Sequence, residues 1–310
     1  MLTIAFAPFA LSVVAVTLSR AGTTRVPPRG AAWAITIATV ALGMSTAGSL
    51  VVLAAPLPAQ LPIVAGLGRW TPVSVATATP VPPMLSVVAL LFLCAMAVAV
   101  LGEVRRLASE YGASVAAHNE LSDCGAAQVV VLDSAVPSAH AVARTLTCGG
   151  RIVVTTGMFD LLDGDERAAV VAHERSHLRH GHAALLAVTR LGSALNPLLR
   201  PMRDDLHFAL ERWADEDAAA VTDRAVIAGA LAKAALALLQ SAPSLGTVGL
   251  FLHDPAIVTD RISALLAEPP HRTRLAWALV GAALVGIASL AWAMHDTERF
   301  FEAVRVWRSP

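Results

Sequence analysis

The chain has 310 residues with 23 basic and 23 acidic side chains, so its formal net charge is zero. It is 56% hydrophobic and only 15% charged, with a mean hydropathy of +0.64; soluble domains carry about 25% charged residues, so this composition points to a membrane protein and away from a soluble globular one. No basic block or aromatic-interleaved basic patch calls for nucleic acid, and the three cysteines (Cys94, Cys124, Cys148) lack paired ligand spacing, which argues against a disulfide framework or a cysteine zinc site.

In chain order, residues 2–19 form an uncharged apolar run broken only by Pro8. No Lys or Arg precedes it, as a signal peptide would need, so it is expected to be a retained first membrane span. Arg20, Arg25 and Arg29 follow in a short basic loop. Residues 31–55 are a second span with Trp33 near its start as an interfacial anchor. Residues 56–83, rich in Pro and small residues, are expected to be an irregular external loop, and 84–101 a third span ending at Glu103, Arg105 and Arg106. Near the other end, 275–295 is a fourth uncharged run with Trp277 and Trp292 near its ends, leaving 296–310 as a short tail. The arginines beside the first, second and third spans are expected to face the cytoplasm. This places the N-terminus, the 56–83 loop and the tail outside the plasma membrane, and 102–274 inside as one domain. The four runs contain no Asp, Glu, Lys or Arg, which argues against a channel or transporter.

Within 102–274, Gln128–Leu132 and Arg151–Thr156 read as strands of a small sheet. Asp163 and Glu166, three apart, match a capping box that opens a helix through Ala168–Ala172, with Gly181 as its stop. That helix carries His173-Glu174-Arg175-Ser176-His177. Histidines four apart project from one helix face, so both imidazoles reach a single tetrahedral Zn²⁺, and a glutamate directly after the first histidine is the general base that activates water. The segment 183–199, broken by Asn196–Pro197, is expected to be a buried or membrane-surface helix in preference to a membrane hairpin.

A catalytic zinc site needs a third protein ligand. Asp204–Asp205 are expected to cap a second helix on which Glu211 and Asp215 share a face. Glu211 is the expected third ligand, with Asp215 hydrogen-bonding the free nitrogen of a ligating histidine. His180 and His182 compete for that place; His180, seven residues after His173, lies on the same helix face, although two histidines beside a glycine turn are more often surface residues. His207, His253 and Arg261 are candidates for stabilising the oxyanion of a tetrahedral intermediate.

Val153–Gly157, Leu161–Asp163, His173–His177 and Glu211–Asp215 together resemble the core pattern of the membrane gluzincins, which include the BlaR/MecR-type peptidases and the HtpX/Ste24-type proteases. Asp260-Arg261-Ile262 is similar to a short motif downstream of the second helix in the HtpX group, and Ser134–Ala141 to the segment those families place before the substrate-side strand. Three spans, a zinc domain and a fourth span match the BlaR/MecR-type layout, without that type's external sensor domain. The resemblance implies a mainly α integral membrane protein of about four spans with an inserted α+β zincin-like domain and one Zn²⁺ per chain. It implies an endopeptidase acting on a cytoplasmic or membrane-proximal protein, either a regulatory, repressor-cleaving enzyme or a quality-control protease. Val153, Val154 and Thr155 would then pair with an extended substrate. The alternative is a non-catalytic signalling or scaffold protein with a structural or vestigial zinc site.

Overall fold

A computed structural model describes residues 2–121, 128–241, 255–268, 270 and 273–306. The chain begins with α1 (Leu2–Ala5) and α2 (Ala7–Gly22), then α3 (Pro28–Ala54). Three short helices follow, α4 (Pro56–Ala59), α5 (Pro62–Gly68) and α6 (Pro72–Ala78), and then the long α7 (Pro83–Glu120). Strands β1 (Val129–Leu132), β2 (Ala139–Val142) and β3 (Arg151–Thr155) lead into α8 (Thr156–Leu161) and α9 (Gly164–His180). Next come α10 (His182–Leu195), a 3-10 turn (Pro197–Leu199) and α11 (Pro201–Ala219), followed by α12 (Arg224–Ser241), α13 (Pro255–Leu266) and α14 (Arg274–Val306).

Among the described residues, three helices are long and apolar enough to cross a membrane by length and composition: Pro28–Ala59, Pro83–Glu120 and Arg274–Arg305. The first expected span is shorter than 2–19 suggests. It is divided at Phe6, and α2 has 16 residues, against the roughly 20 that cross a hydrocarbon core. Three other regions differ from expectation. The 56–83 loop is largely helical, because Pro56, Pro62 and Pro72 each sit in a first helical turn, where proline's fixed φ suits the helix and its missing N–H costs nothing. With no proline between Met84 and Glu120, the third apolar run does not stop at 101 but continues as one 38-residue helix. The tail is helical as far as Val306, and its Phe300, Phe301 and Val304 pack on Trp70 and Val75 of the 56–83 segment. The rings of Trp70 and Phe301 lie 4.8 Å apart.

α3 is the central helix, largely buried and lined with small and hydroxylated residues. Thr36, Thr39 and Thr46 donate to carbonyls one turn back, so their hydroxyls are satisfied without water. The ambiguous 183–199 segment is half of a helical hairpin, α10–turn–α11, packed along α3. It is buried, as expected, but as a hairpin beside a candidate span. Gly43 and Gly192 bring the two backbones together: a Cβ on Gly43 would lie 2.4 Å from the Gly192 carbonyl oxygen. At the bend, buried Asn196 donates to Ser12 of α2 (2.8 Å) and Thr46 of α3 (2.9 Å) and accepts from the Leu198 N–H. The second helix starts at Pro201 with Arg200 before it, so Asp204 and Asp205 do not cap it as expected; Asp205 instead accepts the Ser19 hydroxyl.

The sheet order is β1-β3-β2, with β1 parallel and β2 antiparallel to the central β3. One core joins α2, α3, α10, α11 and α14 through residues such as Ala15, Ile35, Leu42, Met202, Leu206 and Leu279. A second lies under the sheet (Ile152, Val154, Met158, Ala234) and a third between α9, α12 and α13 (Ala169, Ala172, Ile227, Leu265). α11 belongs to two of them. Leu210 and Trp213 sit in the bundle core, and Ala218 packs with α9 and α12. Glu211 and Asp215 are thereby held where the helical bundle meets the sheet-bearing part.

Candidate metal centre

The helix that bears the histidines is fixed at both ends. Asp163 accepts from the Glu166 N–H (2.9 Å), the Asp163 N–H donates to the Glu166 side chain (3.0 Å), and Lys233 closes on Glu166 at 2.7 Å. At the other end Gly181 takes φ +64°, the left-handed conformation that stops the helix and lets α10 start at the next residue. Buried Ser176 donates to Asp217 at 2.7 Å, tying α9 to α11.

His173, His177 and Glu211 converge. The two Nε2 atoms are 3.1 Å apart, and Glu211 oxygens lie 3.6 Å from His173 Nε2 and 3.5 Å from His177 Nε2. The two carboxylate contacts are made by different Glu211 oxygens, one to each histidine; with one donor atom taken from each residue, all three lie within 4.8 Å of one another, close enough to converge on one tetrahedral Zn²⁺, whose ligands stand about 3.3–3.4 Å apart. Charge leads to the same conclusion. With neutral imidazoles, Glu174, Glu211 and Asp215 face the Arg261 guanidinium, leaving two negative charges that a divalent cation would offset. Among the described residues this is the one group of three such side chains that could hold a metal.

The contacts behind the ligands are specific. His173 Nδ1 lies 3.0 Å from Asp215. Arg261 grips Asp215 with Nε at 2.9 Å and a terminal nitrogen at 2.7 Å, and places its other terminal nitrogen 2.8 Å from Glu211. Its guanidinium is thus committed to the two carboxylates of α11 and not aimed at a reacting carbonyl. His177 Nδ1 meets His182 Nδ1 at 2.8 Å. His180 points away from the ligand set and pairs with Asp217 at 2.8 Å, while its ring stacks on Trp213 at 4.5 Å.

These contacts shift the titrating groups. Burial opposes the His173 cation, but hydrogen bonds and charge from Asp215 and Glu211 outweigh it and push His173 up to about 10. Burial pushes His177 down to about 4 and His182 down to about 3. Burial would also raise Glu211 and Asp215, yet Arg261 and His173 hold both below the usual carboxylate range. Burial pushes Glu174 up, although His173, the Ala141 backbone N–H and Arg261 oppose it. A carboxyl raised in this way holds a proton more readily than a free one, which suits it to proton transfer.

The strand expectation is corrected. Val153, Val154 and Thr155 lie on β3, and both edges of β3 are occupied, by β1 and β2. The outer strands of the sheet are β1 and β2, and β2 is the one that lies next to α9. The Thr155 N–H to Ser138 carbonyl bond (2.9 Å) sets the alternation that turns the backbone groups of Ala139 and Ala141 outward, and Glu174 accepts from Ala141. His207 is one turn before Glu211 and lines a cavity of about 260 Å³ with Arg106, Arg190 and Arg203. His253 lies outside the described residues. The contacts of His182, the pairing of Asp217 with Ser176 and His180, and strand β2 were not anticipated. β2 reads Ala-His-Ala-Val, with little β-branched content to signal a strand.

A 60-residue stretch is 38% identical to a protease HtpX homolog of Methanothermobacter thermautotrophicus, covering 19% of this chain and 23% of that protein. A 62-residue stretch is 42% identical to a protease HtpX homolog of Acidiphilium cryptum, covering 20% of this chain and 21% of that protein. The chain thus spans about a fifth of the length of these relatives. No solved structure matches it. Over residues 101–199, a stretch that contains His173, Glu174 and His177 and ends ahead of Glu211, the chain matches the model of Peptidase family M48.

Proposed function

We propose that this chain is a membrane-bound zinc endopeptidase. The observation that carries the proposal is the convergence of His173, His177 and Glu211, with one donor atom of each within 4.8 Å of the others and Glu174 next to His173 in the same helix. The M48 match, the two HtpX relatives and the long apolar helices support the same conclusion.

His173, His177 and Glu211 would hold one Zn²⁺, which supplies Lewis acidity toward the scissile carbonyl and lowers the pKa of water. Asp215 holds the His173 ring, and Arg261 keeps Glu211 and Asp215 ionised. Glu174 takes a proton from the attacking water and returns it to the leaving amine. The outward N–H and C=O of Ala139 and the C=O of Ala141, whose N–H is held by Glu174, pair with an extended substrate, so β2 takes the role first expected of β3. With Arg261 committed elsewhere, His207 remains the described candidate for donating to the developing oxyanion.

The centre sits level with one end of α3: the Arg29 guanidinium, in the first turn of that helix, lies 5.6 Å from the Trp213 ring centroid, two residues beyond Glu211. The substrate is accordingly a cytoplasmic or membrane-proximal protein, as a repressor or a damaged membrane protein would be. In our topology α2 completes a four-span anchor in the plasma membrane, the catalytic part is cytoplasmic, and the N-terminus, the 56–83 segment and the end of α14 are external. This is the BlaR/MecR-type arrangement.

Glu174→Gln tests the proposal. Zinc content should be retained while cleavage of self or of a casein-type substrate falls at least ~100-fold. Unchanged cleavage with zinc retained would remove the general base. A chain that holds no zinc in any preparation would remove the centre.

A further inference from the structure

His182 is 1% exposed and is the first residue of α10. The left-handed turn at Gly181 folds the chain back so that the two Nδ1 atoms of His182 and His177 meet at 2.8 Å, ring edge to ring face at 85°. A hydrogen bond between two ring nitrogens needs one donor and one acceptor. With Nε2 of His177 in the ligand triangle, the proton of that neutral ring is on Nδ1. His182 must therefore accept through Nδ1 and carry its own proton on Nε2. That Nε2 is buried and has no hydrogen-bond partner. A buried ring used only for packing gains nothing from an orphaned N–H, and phenylalanine would fill the same space against Trp213, 4.9 Å away, without one.

We propose that His182 is a positioning residue for the metal centre: by accepting from the Nδ1–H of His177 it fixes that ring's tautomer and aims its Nε2 at the ion. The inference rests on the zinc reading above. The two ligating histidines are then held differently, His173 by the Asp215 carboxylate and His177 by a neutral imidazole.

Two substitutions separate positioning from packing. His182→Phe keeps a ring against Trp213 and removes the acceptor. His182→Asn loses most of the ring but keeps an oxygen on Cγ, where Nδ1 was attached. Zn²⁺ affinity of the full chain in detergent, measured by competition with a chelator, should fall 10- to 100-fold in His182→Phe and stay within about threefold in His182→Asn, as expected for a group that orients a ligand. The metal-free thermal midpoints should rank the other way, Phe at or above the unsubstituted chain and Asn below it. Zn²⁺ binding in His182→Phe as tight as in the unsubstituted chain would overturn the inference, as would His182→Asn binding as weakly as His182→Phe. If the unsubstituted chain takes up no stoichiometric Zn²⁺, the zinc reading itself fails, and the inference with it.

Discussion

At the scale of single residues, His173 and His177 share one helix face yet titrate in opposite directions. Burial opposes a proton on either ring, but Asp215 and Glu211 restore it on His173, pushed up to about 10, while His177 is pushed down to about 4. Near pH 7.5 the metal-free centre therefore carries a proton on His173 that a cation must displace. Zn²⁺ binding should release about one proton, and the apparent affinity should rise with pH until His173 loses that proton by itself. Calorimetry in buffers of different ionisation enthalpy reads the released proton directly; none released at pH 7.5 would contradict this electrostatic account. The pairing of His173 with His177 was legible in the sequence because four-residue spacing on a helix is a local property, and the placing of Asp215 one turn after Glu211 used the same argument. The role of Arg261 was not, since its carboxylate partners are about 50 residues away in the chain. Nor was that of His182, because a histidine before or after a glycine turn looks the same in sequence whether it faces solvent or a ligand.

At the scale of elements, the contact between α3 and α10 is the tightest demand in the helical bundle. Gly43→Ala would set a methyl 2.4 Å from the Gly192 carbonyl oxygen, with that carbonyl carbon at 3.2 Å. Backbone cannot swing aside as a side chain can, so the helices must separate, at a cost of at least about 1–3 kcal/mol. Gly102→Ala is the control: nothing lies within 4 Å of a Cβ there, and alanine should favour the helix by about 0.5–1 kcal/mol. Thermal midpoints in detergent should move in opposite directions. Equal shifts would mean that the hairpin is not seated on α3 as described. The capped α9 and the two β-branched strands were readable from pattern alone. The helices of 56–83 were hidden by prolines, which look like loop markers until each is seen to occupy a first helical turn. β3 was correctly read as a strand, but its place in the middle of the sheet depends on two partners, one of which carries almost no strand signal.

At the scale of the whole molecule, the packing of Phe300, Phe301 and Val304 on Trp70 and Val75 requires the end of α14 and the 56–83 segment to lie on the same side of the membrane. In the topology proposed above that side is the exterior. In a chain with Cys94, Cys124 and Cys148 replaced, Thr77→Cys and Glu298→Cys should react with a membrane-impermeant maleimide in intact cells, and Asp165→Cys only after permeabilisation. Labelling of Thr77→Cys and Glu298→Cys from opposite sides would break the packing, and labelling of all three from the reverse sides would invert the topology. The sequence by itself determined the apolar runs, the capped helix and the spacing of His173, Glu174 and His177, because hydropathy, capping and helical spacing act over a few residues. The tertiary structure alone decided which outer strand lies beside α9, that 182–219 folds as a hairpin against α3, and which side chains stand behind the two histidines. Those outcomes depend on backbone approach and burial between segments far apart in the chain, which no local pattern encodes.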